Sequence, residues 1–182
     1  LYSAALDHGY TPASLTNDAP LVFNDGHQSE DWRPRNSGGD FLGPIRLREA
    51  LYRSRNLVSI RLMMDIGVDE ALTYIERFGF SRSDLPRHLS ASLGTPELTP
   101  LQMATAYAVI ANGGHAVKPW LIERIENSEH QVIDFNRPAV TPEALADQQQ
   151  RIDAYAGLKP GQPTPQVETA EQIIDPRTTY QL

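Results

Sequence analysis

Between residues 43 and 114 the chain carries four successive apolar patterns of helical period, each opened or closed by its own proline or glycine. The first starts at Gly43-Pro44, where proline suits a first helical turn because its missing N–H is one of those left unpaired there. Ile45, Leu47, Ala50 and Leu51 then form one apolar face. The second runs from Leu57 to Ile66, with Leu57, Ile60 and Met64 on one side and Gly67 as its stop. The third spans Val68 to Phe78, with Leu72, Ile75 and Phe78 inward and Gly79 after it. Asp69 and Glu70 complement the helix dipole in its first turn. The fourth begins at Thr99-Pro100, a cap followed by proline, and continues through Met103, Ala106, Tyr107 and Ile110 to Asn112-Gly113-Gly114. Alanines at 104, 106, 108 and 111 predict close packing against a neighbour.

The flanks read differently. Residues 1–43 are loop-rich: Thr11-Pro12, Ala19-Pro20, Asp25-Gly26, Arg33-Pro34 and Gly38-Gly39 are each a turn or break signal. Leu21-Val22-Phe23 is a candidate strand, and Leu1 to Leu6 reads as the tail of a helix ending near Gly9. Pro119 to Ile125 and His130 to Phe135 carry β-formers around Glu126-Asn127-Ser128-Glu129, which predicts a hairpin. Residues 136–171 lose hydrophobic pattern, with Gln148-Gln149-Gln150 and five prolines at 138, 142, 160, 163 and 165, and are expected to be an exposed or disordered insertion. Ile173 to Leu182 reads as a helix that has only begun. The pattern alone gives a helix-rich core with one late hairpin, and the chain is expected to be the interior of a longer protein.

Several chemistries are excluded early. The formal charge is −7 and only two of the sixteen cations are lysines, Lys118 and Lys159, which argues against a nucleic-acid or anionic-membrane surface. The absence of cysteine excludes disulfides, thiolate metal ligands and cysteine nucleophiles. No run approaches the roughly 20 apolar residues of a membrane-spanning helix. There is no Walker loop, no dinucleotide-binding glycine fingerprint and no His-x-x-x-His pair, and the five histidines (8, 27, 88, 115, 130) stand singly. No metal site and no cofactor are expected.

Ser54-Arg55-Asn56 stands at the junction of the first two predicted helices. In a continuous helix, residues two apart point to nearly opposite sides, so the hydroxyl and the amide could not act together. If the chain breaks there, both can face one cleft, where a rotatable hydroxyl and a fixed amide can relay a proton and hold an amide substrate. The competing reading is a helix cap and a turn, for which serine and asparagine are the usual residues.

The stretch from Gly43 to Arg61, which contains Ser54-Arg55-Asn56, resembles the middle of the transpeptidase domain in class A penicillin-binding proteins. So do Trp32-Arg33-Pro34-Arg35-Asn36 upstream and Arg77-Phe78-Gly79-Phe80 downstream. Ser92-Leu93-Gly94, Thr99-Pro100-Leu101-Gln102-Met103-Ala104 and Ala111-Asn112-Gly113-Gly114 follow in the family's order, over residues 1–135. A weaker match resumes at Ile173-Ile174-Asp175-Pro176-Arg177. The resemblance implies an α/β penicillin-binding transpeptidase fold, with helices packed on an antiparallel sheet. This chain would hold mostly the helical part, and residues 1–182 would be the central part of one transpeptidase domain.

Acyl-serine chemistry in this family uses Ser-x-x-Lys, Ser-x-Asn and Lys-Thr-Gly, and only the second is present, as Ser54-Arg55-Asn56. By resemblance, the Ser-x-x-Lys lysine would lie a few residues before Leu1 on the same helix, and Lys-Thr-Gly beyond Leu182. The implied reaction is DD-transpeptidation of peptidoglycan stem peptides. Ser54 would pass a proton between the lysine and the leaving nitrogen, and Asn56 would bind the acyl-side amide. Penicillins and other β-lactams would acylate the same nucleophile. The resemblance further implies a glycosyltransferase domain acting on the lipid-linked precursor, a membrane anchor N-terminal to this chain, and a place on the periplasmic side of the bacterial inner membrane. The chain alone is expected to be inactive. Two other readings stay open: a non-catalytic wall-binding or scaffolding module of the same fold, and a helical interaction domain in which residues 54–56 are only a junction. A β-lactamase fits less well, because the matching blocks are those of the synthases.

Overall fold

Residues 1–23, 31–156 and 165–182 are described by the computed structural model. They divide into two compact units, Leu1–Met103 with Pro176–Leu182, and Ala104–Asp175. The Asp25-Gly26 turn and the Lys159-Pro160-Gly161 stretch lie outside the described residues, as does His27.

The first unit is built around one buried helix. Helix α1 (Tyr2–Asp7) is followed by strand β1 (Leu15–Asp18), strand β2 (Gly43–Arg46), and helices α2 (Leu47–Tyr52), α3 (Asn56–Ile66) and α4 (Val68–Glu76). Leu57, Val58, Ile60, Leu62 and Met63 of α3 are all buried, because α1, α4, β1 and a 3₁₀ turn at Leu89–Leu93 pack around it. Enclosure on several sides is why its buried set exceeds one amphipathic stripe. Met64, expected inward, is 46% exposed. One buried cluster joins Ala5, Ile45, Leu47, Ala50, Val58 and Leu62, with Tyr2, Tyr10 and Ile66 against it. On α4, Ala71, Leu72 and Tyr74 are buried, and so is Phe78 just beyond its end.

Pro44 does not open a helix. Residues Gly43–Arg46 form β2, antiparallel to β1 with Thr16 opposite Ile45 and Asn17 opposite Pro44. Proline is tolerated because a two-stranded ribbon is all edge, so its missing N–H breaks no central ladder. Ile45 is buried between an exposed Pro44 and an exposed Arg46, a period of two rather than 3.6. The partner strand escapes sequence reading, since its buried positions are Thr16 and Asp18.

Asp7, the last residue of α1, accepts the Tyr74 hydroxyl on Oδ2 at 2.8 Å. Its Oδ1 accepts the Thr178 hydroxyl at 2.5 Å, from helix α7 (Pro176–Gln181). One carboxylate therefore clasps three helices of the same unit.

Helix α5 (Pro100–Ala111) starts as the sequence predicts. Thr99 and Gln102 form a capping box: the Gln102 N–H donates to Thr99 Oγ1 (3.2 Å) and the Thr99 N–H to Gln102 Oε1 (2.8 Å). Of its four alanines only Ala106 is buried, while Ala104 and Ala111 are exposed.

In the second unit, the predicted hairpin is present with shorter strands, β3 (Arg124–Glu126) and β4 (Val132–Phe135), antiparallel and irregular at Ile125/Glu126. Asn127 closes its turn by accepting the N–H groups of Glu129 and Gln131 on Oδ1. Within 136–171, expected to be an exposed or disordered insertion, stand a 3₁₀ turn at Pro142–Ala144 and helix α6 (Leu145–Ala156), on which Ile152 is buried. The pattern is weak because α6 shows little apolar face. Polar groups do part of the work: Gln149 donates to the Pro165 carbonyl (3.1 Å) and accepts the Val167 N–H (3.0 Å). Residues 157–164 of that segment lie outside the described residues.

Gly114 has φ +89°, and a β-carbon there would overlap the Ile174 carbonyl. Its own carbonyl accepts the N–H groups of Ile173 (2.9 Å) and Ile174 (3.1 Å). Gly114→Ala is therefore expected to lower stability by more than about 1 kcal/mol, read as a fall in the urea midpoint. An unchanged midpoint would show that this crossing tolerates a side chain.

Candidate active site

Helix α2 ends in a Schellman arrangement that places Ser54 where glycine is usual. The Ser54 N–H donates to the Leu51 carbonyl (3.0 Å) and the Arg55 N–H to the Ala50 carbonyl (2.9 Å). Ser54 itself is left-handed, with φ +52°. A serine in that region is strained relative to glycine, so its presence calls for a reason in the side chain. Ser54 is exposed, and among the described residues its Oγ has no hydrogen-bond partner. It does not cap α3, whose N-cap is Arg55 and which has no side-chain cap from that residue. The helix is therefore broken between Tyr52 and Asn56, and the capping reading of Ser54 does not describe this junction.

Arg55 is extended (φ −80°, ψ 104°) and buried. An extended residue sends its side chain away from those of its two neighbours. Ser54 and Asn56 correspondingly stay at the surface, the first exposed and the second half-buried. Asn56, the first residue of α3, donates from Nδ2 to the Arg35 carbonyl at 2.9 Å. That bond fixes which way the amide faces and leaves its other N–H and its oxygen for a ligand.

Beneath the junction lies a polar network that sequence reasoning missed. Asp18, fully buried at the end of β1, accepts Asn36 Nδ2 on Oδ1 (2.8 Å), and the Leu42 N–H (3.0 Å) and Arg55 Nε (2.7 Å) on Oδ2. Arg55 Nη2 reaches the same Oδ2 at 2.6 Å and the Asp40 carbonyl at 2.7 Å, while Nη1 pairs with Asp40 Oδ1 at 3.1 Å. Asn36 also donates to the Asp40 carbonyl (3.0 Å) and accepts the Leu57 N–H (3.3 Å), so it caps α3 from a distant loop. Burial alone would push the Asp18 carboxyl up, but the donors from Asn36, Arg55 and Leu42 outweigh it and hold it below the usual carboxylate range. Burial would likewise lower Arg55, and its bonds to Asp18 and Asp40 raise it instead. Asn36 belongs to a block quoted for the family resemblance; Asp18 sits in a strand that carries no sequence signal.

Neither Ser-x-x-Lys nor Lys-Thr-Gly occurs in the chain. Among the described residues no group of acidic and histidine side chains could hold a metal ion. Three of the described histidines are locally engaged: His8 with the Ala4 carbonyl, His88 with Ser90, His115 with the Asn112 carbonyl.

The penicillin-binding protein transpeptidase domain matches residues 1–157. Penicillin-binding protein 1A of Pseudomonas aeruginosa is 45% identical across 99% of this chain and 24% of its own length. Penicillin-binding protein 1A of Haemophilus influenzae, a crystal structure, superposes with a TM-score of 0.82 at 30% identity, over 99% of this chain and 27% of that one. The PonA1 protein of Mycobacterium tuberculosis, solved with penicillin V, gives a TM-score of 0.67 at 19% identity over 98% of this chain and 42% of that one, a likeness of fold. The chain spans about a quarter of the length of the 1A relatives it matches. With the family's domain over most of its residues and two 1A proteins aligned along nearly all of it, this chain belongs to the transpeptidase family of penicillin-binding proteins.

Proposed function

We propose that residues 1–182 are the central part of one transpeptidase domain in a peptidoglycan synthase, contributing Ser54 and Asn56 to a serine-type D-Ala-D-Ala transpeptidase. The observation that carries this reading is the broken junction: a strained, exposed Ser54 with an uncommitted hydroxyl, two residues before an amide already oriented by the Arg35 carbonyl. The serine of Ser-x-x-Lys attacks the penultimate D-alanine carbonyl and gives its proton to the lysine. Ser54 Oγ passes that proton to the leaving nitrogen, the C–N bond breaks, and D-alanine departs. Asn56 holds the amide on the acyl side. An amine of a second stem peptide then attacks the acyl ester and releases the nucleophile. β-Lactams acylate the same serine as substrate mimics, in keeping with the penicillin V bound by the PonA1 protein.

The intact protein is further proposed to carry a glycosyltransferase domain for the lipid-linked precursor and an anchor that holds it at the periplasmic face of the inner membrane. Among the described residues no helix is long and apolar enough to cross a membrane.

The test is intact-mass spectrometry after incubation with benzylpenicillin. The intact protein is expected to gain one acyl adduct and the 182-residue chain alone none, since the chain holds neither the nucleophile nor its base. An adduct on the isolated chain, or none on the intact protein, would overturn the assignment.

A further inference from the structure

Resting on that reading of Ser54 and Asn56, we propose that Arg55 is a positioning residue for transpeptidation, locked by Asp18, Asn36 and Asp40 so that the two flanking side chains are presented together. Nothing in the reaction needs a cation at the centre of a Ser-x-Asn motif, and Arg55 is buried while Ser54 is exposed and Asn56 half-buried. Its anchorage is nevertheless elaborate, with two carboxylates and a backbone carbonyl bonded to one guanidinium. The guanidinium engages one fully buried carboxylate through Nε and Nη2, and the carbonyl and carboxylate of Asp40 through Nη2 and Nη1.

The directions matter more than the number of bonds. A guanidinium fork has a fixed plane, so bonding two partners sets the rotation of the residue as well as its depth. Residue 55 is the hinge between the left-handed Ser54 and the first residue of α3, so fixing it fixes both. The same loop grips the head of α3 at two more places, through Arg35 on Asn56 and Asn36 on the Leu57 N–H. The Arg55 carbonyl in turn accepts the Ser59 N–H (3.2 Å) and hydroxyl (3.4 Å), and Ser59 Oγ lies 3.4 Å from the Tyr2 hydroxyl on α1. The network thus refers the junction to β1, to residues 35–42 and to α1 at once. Buried ion pairs are poor stabilisers compared with apolar packing, so a directional role accounts for this one better than a stabilising role does.

The experiment measures acylation of the intact protein by a fluorescent penicillin, separating noncovalent affinity from the acylation rate. Asp40→Asn keeps the backbone carbonyl that Arg55 bonds and replaces a carboxylate that is 58% exposed, so folding is spared. Arg55→Lys keeps the charge and removes the fork. Each is expected to slow the acylation step by roughly 10- to 100-fold, the loss that follows from misplacing a catalytic group by about an ångström. In a Ser54→Ala/Asn56→Ala background the same changes should cost less than about threefold, because a positioning residue then has nothing left to position. Equal losses in both backgrounds would make the network merely structural and overturn the proposal, and so would wild-type rates in both single variants. If Ser54→Ala alone acylates at the wild-type rate, the Ser54 assignment falls first and this inference with it, an outcome distinct from the other two.

Discussion

In the intact protein, Ser54→Ala is expected to slow acylation by penicillin roughly 10²- to 10⁴-fold, the range attributed to one positioned proton-transfer group. Ser54→Gly should lose the same factor while moving stability the other way. Ser54 has φ +52°, a region that costs a non-glycine residue about 1–2 kcal/mol. Glycine removes that strain, but the unfolded chain gains freedom worth about 0.5–1 kcal/mol. The net expectation is a gain of up to about 1.5 kcal/mol for Ser54→Gly, seen as a higher unfolding midpoint beside a near-complete loss of rate. Acylation retained by the glycine variant would mean that the backbone turn, and not the hydroxyl, is what the site requires.

Arg55→Met should be the most destabilising single change near the site, by about 3–5 kcal/mol, because it leaves the Asp18 carboxylate buried without its cation. Replacing both partners, as Arg55→Met with Asp18→Leu, should recover most of that stability without recovering acylation. Denaturant midpoints and acylation rates on the same samples separate the two effects, and joint recovery would contradict the positioning role. The pair also sets an acid limit. Asp18 has a lower pKa folded than unfolded, so its contribution is complete above the unfolded value of about 3.9 and is lost as pH falls through the folded one. Its charged neighbours are Arg55, which stays protonated throughout, and Asp40, which faces the same guanidinium. Asp18→Asn should therefore flatten the decline in stability below about pH 4 as well as lower the plateau. An unaltered acid slope would place the sensitive carboxylate elsewhere.

The helices were legible because their boundaries are chemical. Thr99-Pro100, Gly67 and Gly114 each satisfy a local backbone need, and the capping box at Thr99 forms between the residues its spacing names. Where tertiary partners supply what local sequence lacks, reading fails. Pro44 enters a strand because Asn17 lies opposite, and β1 exists because Thr16 and Asp18 have buried partners that no apolar pattern records. The same holds at the site. Ser54 and Asn56 were readable as a motif, but the residue between them looks like any surface arginine until Asp18, 37 positions earlier, is found beneath it. Helix α6 was missed for the converse reason, since Gln149 does through hydrogen bonds what an apolar face would ordinarily do.

The clasp at Asp7 has a consequence for how the chain can change in length. Thr178 reaches Asp7 from 171 positions away, and residues 104–175 belong to the other unit, so forming the contact is a ring closure in polymer terms. The entropy of closing a ring grows only with the logarithm of its size, about 0.6 kcal/mol for each doubling. Ten residues added to or deleted from that excursion therefore change the closure term by a small fraction of a kilocalorie, whereas a single residue inserted within β2 or α2, which carry the chain from its pairing with β1 to Arg55, would put the guanidinium out of register with its carboxylate. Tolerance to insertion is accordingly concentrated in 104–175, and the same clasp lets α7 dock on α1 and α4 only once that whole excursion has been synthesised.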